Sequence, residues 1–201
     1  MKAFFKIAGA LSMANLILEN TEIAQWHSLI KDAEAQCSCQ LDESMESYLV
    51  FTLMRFMKDQ DLATQVVALN YLQTHGLPKS LRIEQLRDIG DQCLLLSGLY
   101  PERAEKRLVR VSYYVDMGRS AYRHLSDSVQ QAAADLYREL AEAFVTLMDL
   151  LHAIREFSSP ALQPMQSLEL WSDTGSKAAF NRLSENALPV HESLINTTLK
   201  Q

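Results

Sequence analysis

Apolar residues recur at helical spacing along most of the chain. From Val129 to Phe157 an apolar residue returns every three or four positions, which predicts one long helix over Ser128–Phe157. The stretch Tyr48–Met57 is apolar on nearly every side, as is typical of a buried helix. The longer segment that contains it, Asp42–Lys58, exceeds the length of an ordinary strand and is therefore predicted to be a helix. We expect these two helices to form the centre of the fold.

Turn and cap residues divide the rest of the chain into shorter helices. Gly and Pro are few, with 6 and 5 residues, and no pair of alternating segments predicts a strand hairpin. We therefore expect an all-α fold, an irregular multi-helix bundle of about seven to nine helices with one long central helix. No linker composition divides residues 1–201, which predicts a single helical domain with a loose tail over 187–201.

The N-terminal segment, Met1–Leu18, is apolar behind a single lysine. Its apolar positions keep a helical period, which predicts an amphipathic helix over 1–19 packed on the domain. The alternatives are a cleaved signal peptide or a membrane-associating helix. Because Lys6 interrupts the run and the segment is short and polar for a bilayer span, we expect no membrane partner.

Composition and charge narrow the class of protein. The chain is 48% hydrophobic with a net charge of −6, which opposes nucleic acid as a partner, since nucleic-acid binding needs a basic surface. The cysteines, Cys37, Cys39 and Cys93, are too few and odd in number for a disulfide framework. This usage favours a reducing, cytoplasmic compartment, with free thiols at a helix end in the Cys-x-Cys pair.

No motif in the sequence assigns a reaction. There is no nucleophile elbow and no phosphate-binding glycine loop. The nearest approaches to the Glu-x-x-His pairs of di-iron bundles are Asp149-x-x-His152 and His124-x-x-Asp127, and the further glutamates would come from the same helix as His152. We therefore expect no metal and no cofactor.

One segment, Ser112–His124, concentrates groups that can bind a ligand. Its tyrosine hydroxyls and arginine suit an anionic molecule, and Asp91 and Cys93 can face the same pocket. The candidate ligand-binding residues are Tyr113, Tyr114, Asp116, Arg119 and Tyr122. The alternative is structural: Gly118 permits a tight helix crossing, with the tyrosines bridging core and rim.

Four stretches of the chain resemble an uncharacterised family of bacterial, mainly proteobacterial, all-helical proteins of unknown function. They are Ser47–Arg55, Gly90–Glu102, Ser112–Tyr122 and Glu169–Ser176. The resemblance covers about Ile23 to Ser176. It implies a bacterial origin and carries over no catalytic residue.

Two functional hypotheses follow. The first is a non-enzymatic interaction or regulatory protein that forms a homodimer or binds another protein. The alternative is a small-molecule-binding protein or an enzyme, with a pocket between helices near Tyr113–Tyr122. The absence of a catalytic motif favours the first hypothesis, and the tyrosine-rich segment favours the second.

Overall fold

A computed structural model describes residues 22–58, 71–72, 74–101, 109–157 and 159–185. Helices occupy most of these residues, and no strand occurs among them. The predicted all-α fold class is therefore confirmed. The predicted N-terminal helix over 1–19 and the tail over 187–201 lie outside the described residues.

The described residues form a series of helices along the chain. A 3-10 turn, Thr74–Gly76, precedes the third of the α-helices described here. The α-helices are α1 (Glu22–Cys37), α2 (Glu43–Lys58), α3 (Lys79–Gly98), α4 (Val111–Ser126), α5 (Gln131–Glu142), α6 (Phe144–Glu156), α7 (Pro164–Thr174) and α8 (177–185).

Side chains next to the helix ends fix several of these bounds. The carboxylate of Asp42 accepts a hydrogen bond of 2.7 Å from the backbone N–H of Met45 and so caps α2. At α7, Gln163 and Gln166 form a reciprocal capping box, with Pro164 in the first helical position. These caps satisfy backbone donors that the first turn of a helix leaves without a partner.

The centre of the fold is the second half of α3. Every residue from Ile89 to Leu99 is buried, and α4 and α6 both pack against this helix. The predicted central helix, α2, instead keeps one side toward solvent, where Phe51 is 59% exposed. Its apolar character extends around the helix, but α2 lies at the edge of the bundle and therefore has no neighbour on that side among the described elements.

Gly118 marks a close approach of α4 to α3 and α6. A Cβ atom at this position would overlap the ring of Phe144 on α6 and the Cβ of Cys93 on α3. Only a residue without a side chain fits there, so the structural role predicted for this glycine is present in the fold.

The segment predicted as one long helix consists of two helices that meet at Ala143. This residue has φ −81° and ψ 6°, outside the regular α conformation. The break frees the carbonyl of Ala141 from the regular hydrogen-bond pattern, and the Arg119 side chain donates to it over 3.2 Å. The apolar period continues across the break because Leu140, on α5, and Phe144, on α6, are both buried in the same core.

None of the helices in the described ranges combines the length and the apolar content needed to cross a bilayer. The segment Met1–Leu18, considered above for membrane association, is outside those ranges.

Candidate functional site

The five candidate ligand-binding residues lie on different sides of α4. Tyr114 and Tyr122 are buried, whereas Tyr113 and Asp116 are exposed. Arg119 is half-buried and donates to the Ala141 carbonyl at the end of α5. Helical periodicity therefore divides the set between core and surface, and Arg119 serves the junction between α5 and α6.

Tyr122 belongs to a buried polar cluster centred on Asp91. The Asp91 Oδ1 atom accepts hydrogen bonds from the hydroxyl of Tyr48 at 2.6 Å and from that of Tyr122 at 2.9 Å. The other carboxylate oxygen lies 3.4 Å from a guanidinium nitrogen of Arg55. This Asp91 cluster joins α2, α3 and α4. Its central residue is the aspartate that we expected to face the tyrosines.

Aromatic packing holds the tyrosines of the Asp91 cluster in place. The rings of Tyr48 and Tyr122 meet edge to face, and Tyr137 of α5 stacks on Tyr122 at 6.1 Å between centroids. A Cβ at Gly90 would overlap the Tyr122 ring, so this glycine lets the ring lie flat against α3. The rings and the glycine together fix where both hydroxyls point.

Burial controls the protonation of the Asp91 cluster. It raises the pKa of Asp91 from 3.8 to about 6, against the hydrogen bonds of Tyr48 and Tyr122 and the charge of Arg55, which lower it. Burial also raises the pKa of both tyrosines well above 10.0, and the Asp91 carboxylate adds to this effect. The tyrosines therefore remain donors at neutral pH.

Among the described residues, the Asp91 cluster meets solvent at its rim. Arg55 is 35% exposed at its side chain and also pairs with Asp88 at 2.5 Å. Inside the rim, both carboxylate oxygens of Asp91 and both tyrosine hydroxyls have partners within the cluster. This arrangement suits the cross-linking of three helices, since a satisfied buried network rigidifies the core around it.

A second buried polar group lies on α6, around Asp149. Its carboxylate accepts from the hydroxyl of Ser176 at 2.5 Å and from the backbone N–H of Ala178 at 3.3 Å. The Ser176 oxygen in turn accepts from the backbone N–H of Ala179. Asp149 and Ser176 therefore cap α8 and attach it to the core. Burial raises the pKa of Asp149, although the Ser176 hydrogen bond opposes the rise.

His152 follows Asp149 by one helical turn and has a different environment. It is 1% exposed, and neither ring nitrogen has a hydrogen-bond partner among the described residues. Burial lowers its pKa from 6.5 to about 3, and the charges of Arg182 and Arg155 act in the same direction. In the parts of the chain that the structure describes, no group of three or more His, Cys, Asp or Glu side chains is arranged to hold a metal ion.

A groove of about 260 Å³ runs between α7 and the start of α4. Its charged groups are matched within the protein. Arg110 pairs with Asp173 at 3.2 Å and with Glu169 at 3.5 Å, and the Ser112 hydroxyl also donates to Asp173. The groove therefore offers a ligand few polar groups that are not already in use.

The opposite side of α7 carries an exposed apolar surface. Met165 is 72%, Leu168 43% and Trp171 40% exposed, and Phe180 on α8 is 46% exposed. The Trp171 and Phe180 rings contact each other with centroids 5.3 Å apart, so the surface continues from α7 to α8. We refer to these four residues as the α7–α8 face.

Comparisons of the chain with family models, with curated proteins and with solved structures found no match. The resemblance to an uncharacterised bacterial family therefore stays a prediction, and the residues must carry the functional argument.

Sequence reasoning found part of what the structure brings together. It singled out Tyr122 and placed Asp91 near the tyrosines, but it assigned Tyr48 to the core of α2 and gave Arg55 no role. It predicted that turn and cap residues divide this part of the chain into shorter helices, and α7 and α8 occur there. It gave no sign that Trp171 would be exposed, because apolar residues at helical spacing most often face a core.

Proposed function

We propose that this chain is a bacterial cytoplasmic interaction protein, and that its α7–α8 face binds the same face of a second copy. The observation that carries the proposal is the exposure of Met165, Leu168, Trp171 and Phe180 on one surface. Contiguous exposed apolar surface on a soluble protein marks interaction sites. Tryptophan, phenylalanine and methionine are the apolar residues enriched at protein interfaces.

The spacing along α7 supports a symmetric pair. Met165, Leu168 and Trp171 are three residues apart and form one ridge of the helix. If two α7 helices cross antiparallel on a two-fold axis at Leu168, Met165 lies opposite the partner subunit's Trp171. Methionine sulfur packs favourably against aromatic rings, so the ridge is complementary to itself, as an isologous interface requires.

The area of the α7–α8 face agrees with a small dimer interface. The exposed parts of its side chains add up to roughly 400 Å². A standard interface buries about 800 Å² on each partner, and somewhat more than half of it is apolar. Polar neighbours on both helices would supply the remaining rim.

The pocket hypothesis at Tyr113–Tyr122 has less support from the arrangement of its residues. Tyr122 donates a hydrogen bond to Asp91, and Arg119 donates one to the Ala141 carbonyl, whereas Tyr113 and Asp116 are exposed. A ligand would have to displace existing hydrogen bonds to reach the buried members. We therefore rank the interaction function first.

The substitution Leu168→Glu tests the proposal, measured by sedimentation velocity over a range of protein concentrations. The two-fold axis would bring both glutamates together, so we expect the dimer to dissociate while circular dichroism stays unchanged. The matched control is Leu81→Glu on α3, because Leu81 is 51% exposed and lies outside this face. That variant should still dimerise.

Two outcomes would overturn the proposal. A wild-type protein that stays monomeric at every concentration would exclude self-association. A dimer that survives Leu168→Glu would place the interface on another surface. As a positive test, Leu168→Cys should form an intermolecular disulfide on mild oxidation, because the axis brings two such positions together, whereas Leu81→Cys should not.

A further inference from the structure

Cys37 and Cys39 lie at a helix end that brings their sulfurs to the same place. Cys37 is the last residue of α1, and Ser38 turns the chain with φ 50°, the one non-glycine residue with positive φ in the described ranges. The N–H of Ser38 donates to Ala35 at 3.3 Å, and that of Cys39 donates to Glu34 at 3.1 Å. This is a Schellman motif with serine at the position that usually holds glycine.

The reversal at Ser38 places the two thiols side by side. Each thiol lies close enough to affect the pKa of the other, and both side chains are partly exposed, unlike the buried Cys93. The Cys37 thiol also donates to the backbone carbonyl of Asp149 at 3.5 Å, which ties the pair to α6. Serine in a left-handed conformation costs about 1 kcal/mol or more, so the fold holds the pair together against local strain.

We propose that Cys37 and Cys39 form a dithiol site for a trivalent arsenic or antimony species that carries one substituent of its own. The two sulfurs supply the other two bonds that such a centre makes. An ion that needs three or four protein ligands has too few here, because no third His, Cys, Asp or Glu among the described residues is placed to join a metal site.

The reaction at the site is a condensation without redox change. Each thiol gives its proton to the arsenic-bound oxygen, which leaves as water, and two As–S bonds replace the As–O bond. The arsenic stays trivalent. Both thiols enter the step protonated, so the condensation releases no net proton. Burial raises the pKa of Cys37 to about 12, and it also raises the pKa of Cys39.

The test uses phenylarsine oxide with the full-length reduced protein, followed by mass spectrometry. We expect one arsenical to bind with loss of one water, to survive excess monothiol and to be removed by a dithiol. Tryptic digestion should locate it on Asp32–Arg55, which contains both residues of the pair and excludes Cys93.

The variants Cys37→Ser and Cys39→Ser each remove one sulfur. Each should bind roughly a hundredfold more weakly and release the arsenical to a monothiol, because the second bond gains from the high effective concentration of a neighbouring thiol. Serine at position 37 can still donate to the Asp149 carbonyl, so this variant should keep the fold. Wild-type protein that loses its adduct to a monothiol, or an adduct on the peptide with Cys93, would overturn the proposal.

Discussion

Asp91 and His152 are both buried ionisable residues in the middle of the bundle, and their surroundings differ in one respect. The Asp91 carboxylate accepts from two tyrosines and faces an arginine, whereas the His152 ring has no hydrogen-bond partner among the described residues. The first group is part of a network that crosses three helices. The second occupies volume in the core and stays neutral there. Burial alone therefore does not say whether a polar residue stabilises a fold.

The largest expected effect separates the two residues by truncation. Asp91→Ala leaves the hydroxyls of Tyr48 and Tyr122 without their acceptor and opens a small cavity, so the free energy of unfolding should fall by about 3 kcal/mol at pH 7. His152→Leu removes no hydrogen bond within the described structure and should cost less than about 1 kcal/mol. Urea denaturation followed by circular dichroism measures both. Equal losses would show that His152 is also held by a network.

Acid should weaken the fold through His152. Its pKa is about 3 in the fold and 6.5 as the ordinary value, so below pH 6.5 the unfolded chain binds a proton that the folded chain does not. The stability that depends on neutral His152 is fully present above pH 6.5 and is lost as pH falls toward 3. By pH 4 the loss should reach roughly 3 kcal/mol. The difference in unfolding free energy between wild type and His152→Leu, measured from pH 7 to pH 4, isolates this contribution.

Asp91 should have the opposite pH dependence. Its pKa rises from 3.8 to about 6 on folding, so between these values the folded chain holds a proton that the unfolded chain has lost. Stability should therefore fall as pH rises from about 4 to 6, by roughly 2 to 3 kcal/mol, and stay level above that range. Asp91→Asn keeps an acceptor for the tyrosines and cannot ionise. If this variant shows the same slope as wild type, another group is responsible.

Removing one tyrosine hydroxyl should have the smallest effect. Tyr122→Phe keeps the ring against Gly90 and Tyr137 and removes one of the hydrogen bonds to Asp91, for a cost of about 1 kcal/mol. Because that hydrogen bond lowers the pKa of Asp91, its loss should move the pH range over which stability falls to higher pH. The matched variant Tyr113→Phe, at an exposed ring on the same helix, should change neither the stability nor the range.

The helices are predictable from the sequence because their apolar period is local information. Turn and cap residues divide the chain into helices, and a glycine inside a helical pattern, Gly118, indicates a close crossing. The partners of Asp91 are not predictable in this way, since Tyr48 is 43 positions away and only the packing of α2 on α3 brings it close. The break at Ala143 is not predictable for a related reason. Alanine does not indicate the end of a helix, and the contacts at the break, Phe144 with Gly118 and Arg119 with the Ala141 carbonyl, form only when α4 packs beside it.

The burial of α3 from Ile89 to Leu99 has a consequence for how the protein assembles. A helix with no solvent-facing side cannot be added last to a finished surface, so α4 and α6 must gather around it during folding. Its amide hydrogens should consequently exchange with solvent only when the whole domain opens, while those near the rim at Arg55 exchange by smaller local openings. The slowest-exchanging amides would then identify α3 as the helix that forms only when the whole domain forms.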